Sequence, residues 1–219
     1  MSAGKVILSL WLGISLGASC QYISWMDPVW VAGANLLTAE AVVIAIDTSG
    51  SIRDAGRLPV EKRFAKRLLD VLATSNPKDP VVAVYVFNDN IDYIIGPTRL
   101  SALDLQWAKR AIDGIQDTSD LTWLSDAIDE ACNVTSPVSP NGTLVLLTDG
   151  LPTTPDRYGS KDIPAAMQAT LAAARNFRRN CSRLAVIGIG LEEDAVRFLR
   201  QVASSGAFIY SDPTLTGLG

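Results

Sequence analysis

Apolar residues in this chain of 219 residues fall in short unbroken runs at positions 41–46, 81–87, 143–147 and 184–189, each rich in Val, Ile and Leu. A run that is continuous rather than alternating belongs to a strand covered on both faces, as in a parallel sheet. A shorter run at 91–95 follows the turn-prone Asn88-Asp89-Asn90 and is expected to return antiparallel beside the second strand. A last strand is expected at 207–210. Helical spacing fills the intervals. Val60, Phe64, Leu68, Val71 and Leu72 recur every three or four residues, as do Leu105, Ala108, Ile112 and Ile115 behind Ser101 and Asp104, which have the spacing of a capping box. Leu124, Ile128 and Ala131 mark a third helix. Asp162 heads a fourth through Met167, Leu171 and Ala174, and Val196, Leu199 and Val202 mark a fifth. Strands alternating with helices predict an α/β fold: a doubly wound, mostly parallel sheet with one short antiparallel strand and helices on both faces.

The N-terminus departs from this rhythm. Lys5 precedes the apolar stretch VILSLWLGISLGAS, which ends in small residues. A positive charge, an apolar core of about a dozen residues and a small-residue exit form an export leader. Because the apolar character runs on through Tyr22 and Trp25, the stretch would also suit a membrane anchor of about 20 residues. Leu16-Gly17-Ala18-Ser19-Cys20 resembles a bacterial lipoprotein box, with Leu16 one place early, so a lipidated Cys20 is a further route to the membrane. The expected organisation is a signal peptide or anchor at 1–19, a tether at 20–39, one domain at 40–212 and a tail at 213–219. The protein is expected to be exported, in the cell envelope or periplasm or outside the cell. In an oxidising compartment Cys132 and Cys181, each ahead of an apolar run, could be joined; two buried free thiols are the alternative.

Composition narrows the chemistry. Hydrophobic residues at 48% against 19% charged exclude a disordered chain, and a net charge of -4 without a basic tract excludes a nucleic-acid backbone as partner. The chain has no histidine, so neither a Ser-His-Asp nucleophile nor a His-ligated zinc is available.

In a doubly wound sheet, ligands sit beyond the carboxyl ends of the strands, where strand order reverses. The first run ends in Asp47-Thr48-Ser49-Gly50-Ser51 and the third in Leu147-Thr148-Asp149-Gly150, while Thr122 stands at the start of a helix. A carboxylate at the end of a buried strand is costly unless compensated. Two carboxylates and three hydroxyls, with no nitrogen or sulfur donor nearby, suit a hard divalent cation, Mg2+ or Mn2+. In D-x-S-x-S alternate residues can face one point, with Gly50 expected to free the loop to wrap around an ion.

These three segments, in this order, resemble the metal-ion-dependent adhesion site of von Willebrand factor type A domains. The resemblance implies that Ser49 and Ser51 bind the ion directly, that Thr122 does so on engagement, and that Asp47 and Asp149 bind directly or through water. It further implies that the ion takes its last ligand from an exposed Asp or Glu of a partner protein, and that the C-terminal helix, residues 192–203 here, can couple to engagement. Asp120-Leu121 replace the Gly-Gly usual before the threonine, which puts Thr122 in question. Asp54 matches one acidic position of a second ion used by some members, but Ala55 replaces the next.

The same residues admit other chemistry. Asp47 and Asp149 could instead cap helix N-termini. The Asp-Thr pair partly resembles aspartic proteases, but Ser49 interrupts the D-T-G and the second segment reads T-D-G. A Mg2+-dependent phosphotransfer enzyme would need a basic group, for which Lys161 is the loose candidate. The reading is a cation-dependent protein-binding module for adhesion or assembly, not an enzyme, with a metal-free structural module as the remaining alternative.

Overall fold

The structure, a computed structural model, describes residue 36, residues 38–116, 121–154 and 161–204, and the backbone of residues 208–211. The leader, Cys20, most of the tether and the tail lie outside the described residues. Six strands, β1 (Ala41–Asp47), β2 (Val81–Phe87), β3 (Ile91–Arg99), β4 (Gly142–Thr148), β5 (Ser182–Ile189) and β6 (Phe208–Ser211), form one sheet in the order β3-β2-β1-β4-β5-β6. All pairs are parallel except β2 with β3. The helices are α1 (Gly50–Asp54), α2 (Leu58–Ser75), α3 (Leu105–Asp113), α4 (Leu124–Thr135), α5 (Ile163–Asn180) and α6 (Glu193–Val202).

The alternation of side chains along β1 divides the core. Val42, Ile44 and Ile46 join Phe64, Leu68 and Leu72 of α2 and Ile112 of α3 on one face. Val43 and Ala45 join Leu124 and Ile128 of α4, Phe177 of α5 and Leu199 of α6 on the other. Every residue of β1 and β4 is buried, which is why both read as unbroken apolar runs. Leu36 and Ala39, on the tether side of residue 40, are also buried in the first layer, at 0% and 1% exposure. Among the described residues no helix is long and apolar enough to cross a membrane.

Three local expectations change. The antiparallel strand is not short: β3 runs nine residues to Arg99. Gly96 and Pro97 break its pattern, but an edge strand tolerates Pro, and the register shifts between Val82 and Val84 absorb both. Ser101 is no capping-box partner. It lies in a 3-10 turn bonded to Asp79, and Asp104 itself is the N-cap of α3, accepting from the Gln106 and Trp107 amides. Gly50 does not free a loop; it opens α1, and its φ is not positive.

Cys132 and Cys181 form a disulfide with Cα atoms 5.4 Å apart. Cys132 lies within α4 and Cys181 caps α5, so the bond ties two helices of one layer beneath the amino ends of β4 and β5.

Candidate metal centre

Strand order reverses at β1, which has β2 on one side and β4 on the other. The carboxyl ends of β1 and β4 therefore open onto the crevice that doubly wound folds use for ligands. Asp47 is the last residue of β1, and Asp149 directly follows β4.

Four of the five expected residues form one chain of hydrogen bonds. The Ser49 amide donates to Asp47 Oδ1 at 2.9 Å, and the Ser49 and Ser51 hydroxyls lie 3.1 Å apart. The Ser51 hydroxyl donates to Asp149 Oδ1 at 2.7 Å. Asp47 Oδ2 accepts from the Thr148 hydroxyl at 2.7 Å, so both Asp47 oxygens are engaged by the protein. Asp47 and Ser49 are fully buried, Asp149 nearly so, and Ser51 is exposed, so the chain reaches solvent at Ser51.

Thr122 stands on a neighbouring loop and is buried. Its amide donates to Thr153 Oγ1 at 2.9 Å and its carbonyl accepts from the Thr153 and Leu124 amides. None of these bonds reaches the chain from Asp47 to Asp149. Asn88 supports this loop from β2: its carbonyl accepts from the Trp123 amide, and its side chain donates to Thr48 Oγ1 at 3.1 Å. A cavity of about 200 Å³ opens beside Thr122, bordered by Trp123, Pro152, Thr153 and Thr154. Trp123 is half-buried, with its indole N–H buried and unpartnered.

Two charged residues here escaped the sequence reading. Arg57, the residue before α2, donates from Nη1 to Asp149 Oδ2 at 2.8 Å. Glu61, one turn along α2, is fully buried, and neither carboxylate oxygen has a hydrogen-bond partner. Burial pushes its carboxyl well above the ordinary range; the charges of Asp47 and Asp149 add to the rise, against smaller opposing effects from the Asp47 backbone and Arg57. Burial likewise raises Asp47 to about 7, with Asp149 adding to the rise and hydrogen bonds from Ser49 and Thr148 opposing it. A Glu in place of an apolar residue at this spacing was the available signal for Glu61. Arg57 carried none, because its partner lies 92 residues away in the chain.

The donor set fits a hard cation. Negative groups are drawn together out of water, and the accessible ligands are hydroxyl and carboxylate oxygens. Among the described residues no group of three or more His, Cys, Asp and Glu side chains is disposed to hold a metal, so any centre here depends on the serines. Asp54 is exposed and pairs with Arg53, and Lys161 is exposed.

The family model described as von Willebrand factor type A domain matches residues 41–219. Solved structures share the fold. Proximal thread matrix protein 1 from the mussel byssus superposes with a TM-score of 0.60 at 17% identity, over 82% of this chain and 46% of that one. The same mussel protein with a zinc-occupied MIDAS motif gives 0.57 at 16% identity, over 83% and 47%. The vWF domain of the type V pili tip protein Mfa5 from Porphyromonas gingivalis gives 0.62 at 14% identity, over 82% and 92%. This chain thus spans less than half of the mussel protein. No curated protein matches it.

Proposed function

The chain belongs to the von Willebrand factor type A domain family, and on that premise we propose that it is a divalent-cation-dependent protein-binding module for adhesion or assembly. The observation that carries the reading is the hydrogen-bonded chain from Asp47 through Ser49 and Ser51 to Asp149 at the point where strand order reverses. Ser49, Ser51 and Asp149 would hold Mg2+ or Mn2+. Asp47 acts from behind, fixing the Ser49 amide, and Thr122 joins from its own loop. When bound, the ion supplies an electrophilic position for a carboxylate, and the partner is a protein presenting an exposed Asp or Glu. Ser51, the exposed member of the chain, marks the side from which that carboxylate approaches.

The family supports a binding module over an enzyme, and the mussel and pilus relatives support a place outside the cytoplasm. The disulfide between Cys132 and Cys181 supports the same location, because such bonds persist in oxidising compartments. We read residues 1–19 as the export leader or anchor and 20–39 as a tether, with Cys20 as the lipidation site if the anchor is a lipid.

The test is a titration of the full chain with Mg2+ and Mn2+, wild type against Ser49→Ala/Ser51→Ala, followed by calorimetry and thermal melting. Binding to the folded state raises the melting temperature by mass action, and the double variant should lose both the heat and the rise. Metal-indifferent melting of both proteins, without binding heat, would sink the reading. Turnover of a phosphoryl substrate lost in Asp47→Ala would replace it with the phosphotransfer alternative.

A further inference from the structure

Asp149 is the carboxylate on which the preceding reading most depends, and this inference rests on that reading. Its two oxygens are both taken: Oδ1 by the Ser51 hydroxyl at 2.7 Å, and Oδ2 by Arg57 Nη1 at 2.8 Å. The Asp149 side chain is fully buried and that of Arg57 is 23% exposed, so their attraction is only partly screened by water.

The backbone of Arg57 is fixed at the entry to α2. Its amide donates to the Ile52 carbonyl, and its carbonyl accepts from Val60 and Glu61 at the start of α2. The guanidinium lies against Gly190, just beyond β5, where an added Cβ would come within 2.8 Å of Arg57 Cζ. Gly190 also has φ +62°, so this close approach is reserved for a residue without a side chain. The fold therefore builds a berth for this guanidinium.

We propose that Arg57 is the resident counter-cation of the rim and competes with a divalent ion for Asp149, setting the affinity of the centre. A guanidinium and a divalent ion attracted to the same buried carboxylate repel one another, and the repulsion is strong at short range in a partly desolvated site. Arg57 lowers metal affinity while it steadies the buried Asp149 carboxylate. The consequence is a threshold: the centre fills only where the divalent cation is plentiful, or where a partner's carboxylate adds its charge.

The experiment compares the full chain with Arg57→Gln, Arg57→Met and Arg57→Lys, titrating Mn2+ and Mg2+ by calorimetry at fixed ionic strength and recording melting without divalent cation. Gln and Met remove the charge, and Met keeps an apolar stem against Gly190. Both should bind Mn2+ about tenfold tighter or more and melt lower without it, whereas Lys, which keeps the charge, should stay within about threefold of wild type. Two neutral variants guard against one that fails to fold, and circular dichroism checks each. Equal or weaker binding in the folded neutral variants overturns the proposal while leaving the metal reading intact. No binding heat and no melting shift in any protein, wild type included, overturns both.

Discussion

The two ends of the sheet are built on opposite electrostatic plans. At the amino ends of the strands, buried and half-buried polar groups find mostly neutral or backbone partners. Asn76 donates to the Leu36 and Ala39 carbonyls at 2.7 and 3.0 Å and accepts from the Lys78 amide. Ser139 donates to Glu40 and accepts from the Asn141 amide, and Ser204 accepts from the Leu184 amide. At the carboxyl ends, Asp47, Asp149 and Glu61 are buried, with Arg57 as the cation paired to Asp149. One end closes the domain. The other gathers carboxyls that burial holds above their ordinary range, in keeping with the general concentration of perturbed carboxyls at functional sites.

The comparison breaks most visibly at the disulfide. Cys132 and Cys181 are 49 residues apart, and a cross-link of that length restricts the unfolded chain enough to stabilise the fold by about 4 kcal/mol in the chain-entropy account. Cys132→Ser/Cys181→Ser should lose about that much in urea unfolding while leaving divalent-cation binding near wild type, because the bond lies at the end opposite the rim. A loss below about 1 kcal/mol, or a coupled loss of metal binding, would show that the two ends are not separable.

Asn76→Ala sharpens the same contrast on a smaller scale. It removes the side-chain donor from the Leu36 and Ala39 carbonyls, the first of which keeps only the Ala39 amide, and loosens the segment that covers the base of the first layer. A half-buried group with three hydrogen bonds is worth about 2 kcal/mol here, read as a shift of the unfolding midpoint at unchanged slope. Indifference to this change would mean that Leu36 and Ala39 seat themselves by apolar burial alone.

Much of the fold was legible because buried parallel strands are unbroken apolar runs and each helix keeps one apolar stripe. Residues 41–46 and 143–147 lie within β1 and β4 for that reason. The misses came where chemistry replaces hydrophobicity. β3 continues through Gly96 and Pro97 because an edge strand need not satisfy both sides, and α1 was hidden inside a motif read for its ligands. At the candidate site, Asp47, Ser49, Ser51 and Asp149 were legible because the two segments that hold them end adjacent strands. Arg57 and Glu61 were not. The first meets a partner 92 residues away, and the second occupies a core position where helical periodicity leads one to expect an apolar residue.

Glu61 carries the smallest predicted effect, and its sign is what distinguishes the rim from the base. Its carboxyl is held above the ordinary range chiefly by burial and then by the charges of Asp47 and Asp149. The folded chain therefore binds more protons than the unfolded chain once the pH exceeds the ordinary carboxylate value, and linkage requires stability to fall as pH rises from there. The stabilising contribution is fully present below that value and is lost as the pH passes through the raised one. Asp47 adds a loss of the same sign that is complete above about 7. Glu61→Gln keeps the shape and removes the charge, so at about pH 8 without divalent cation it should gain about 1 kcal/mol over wild type. Near about pH 4, where the wild-type carboxyl is already neutral, the two should melt together. The fall in stability with rising pH that remains in the variant then comes from Asp47, with Asp129, also raised by burial, adding to it. If Glu61→Gln instead loses stability at the higher pH, the charged carboxylate is a required acceptor, and the rim would be as self-satisfied as the base.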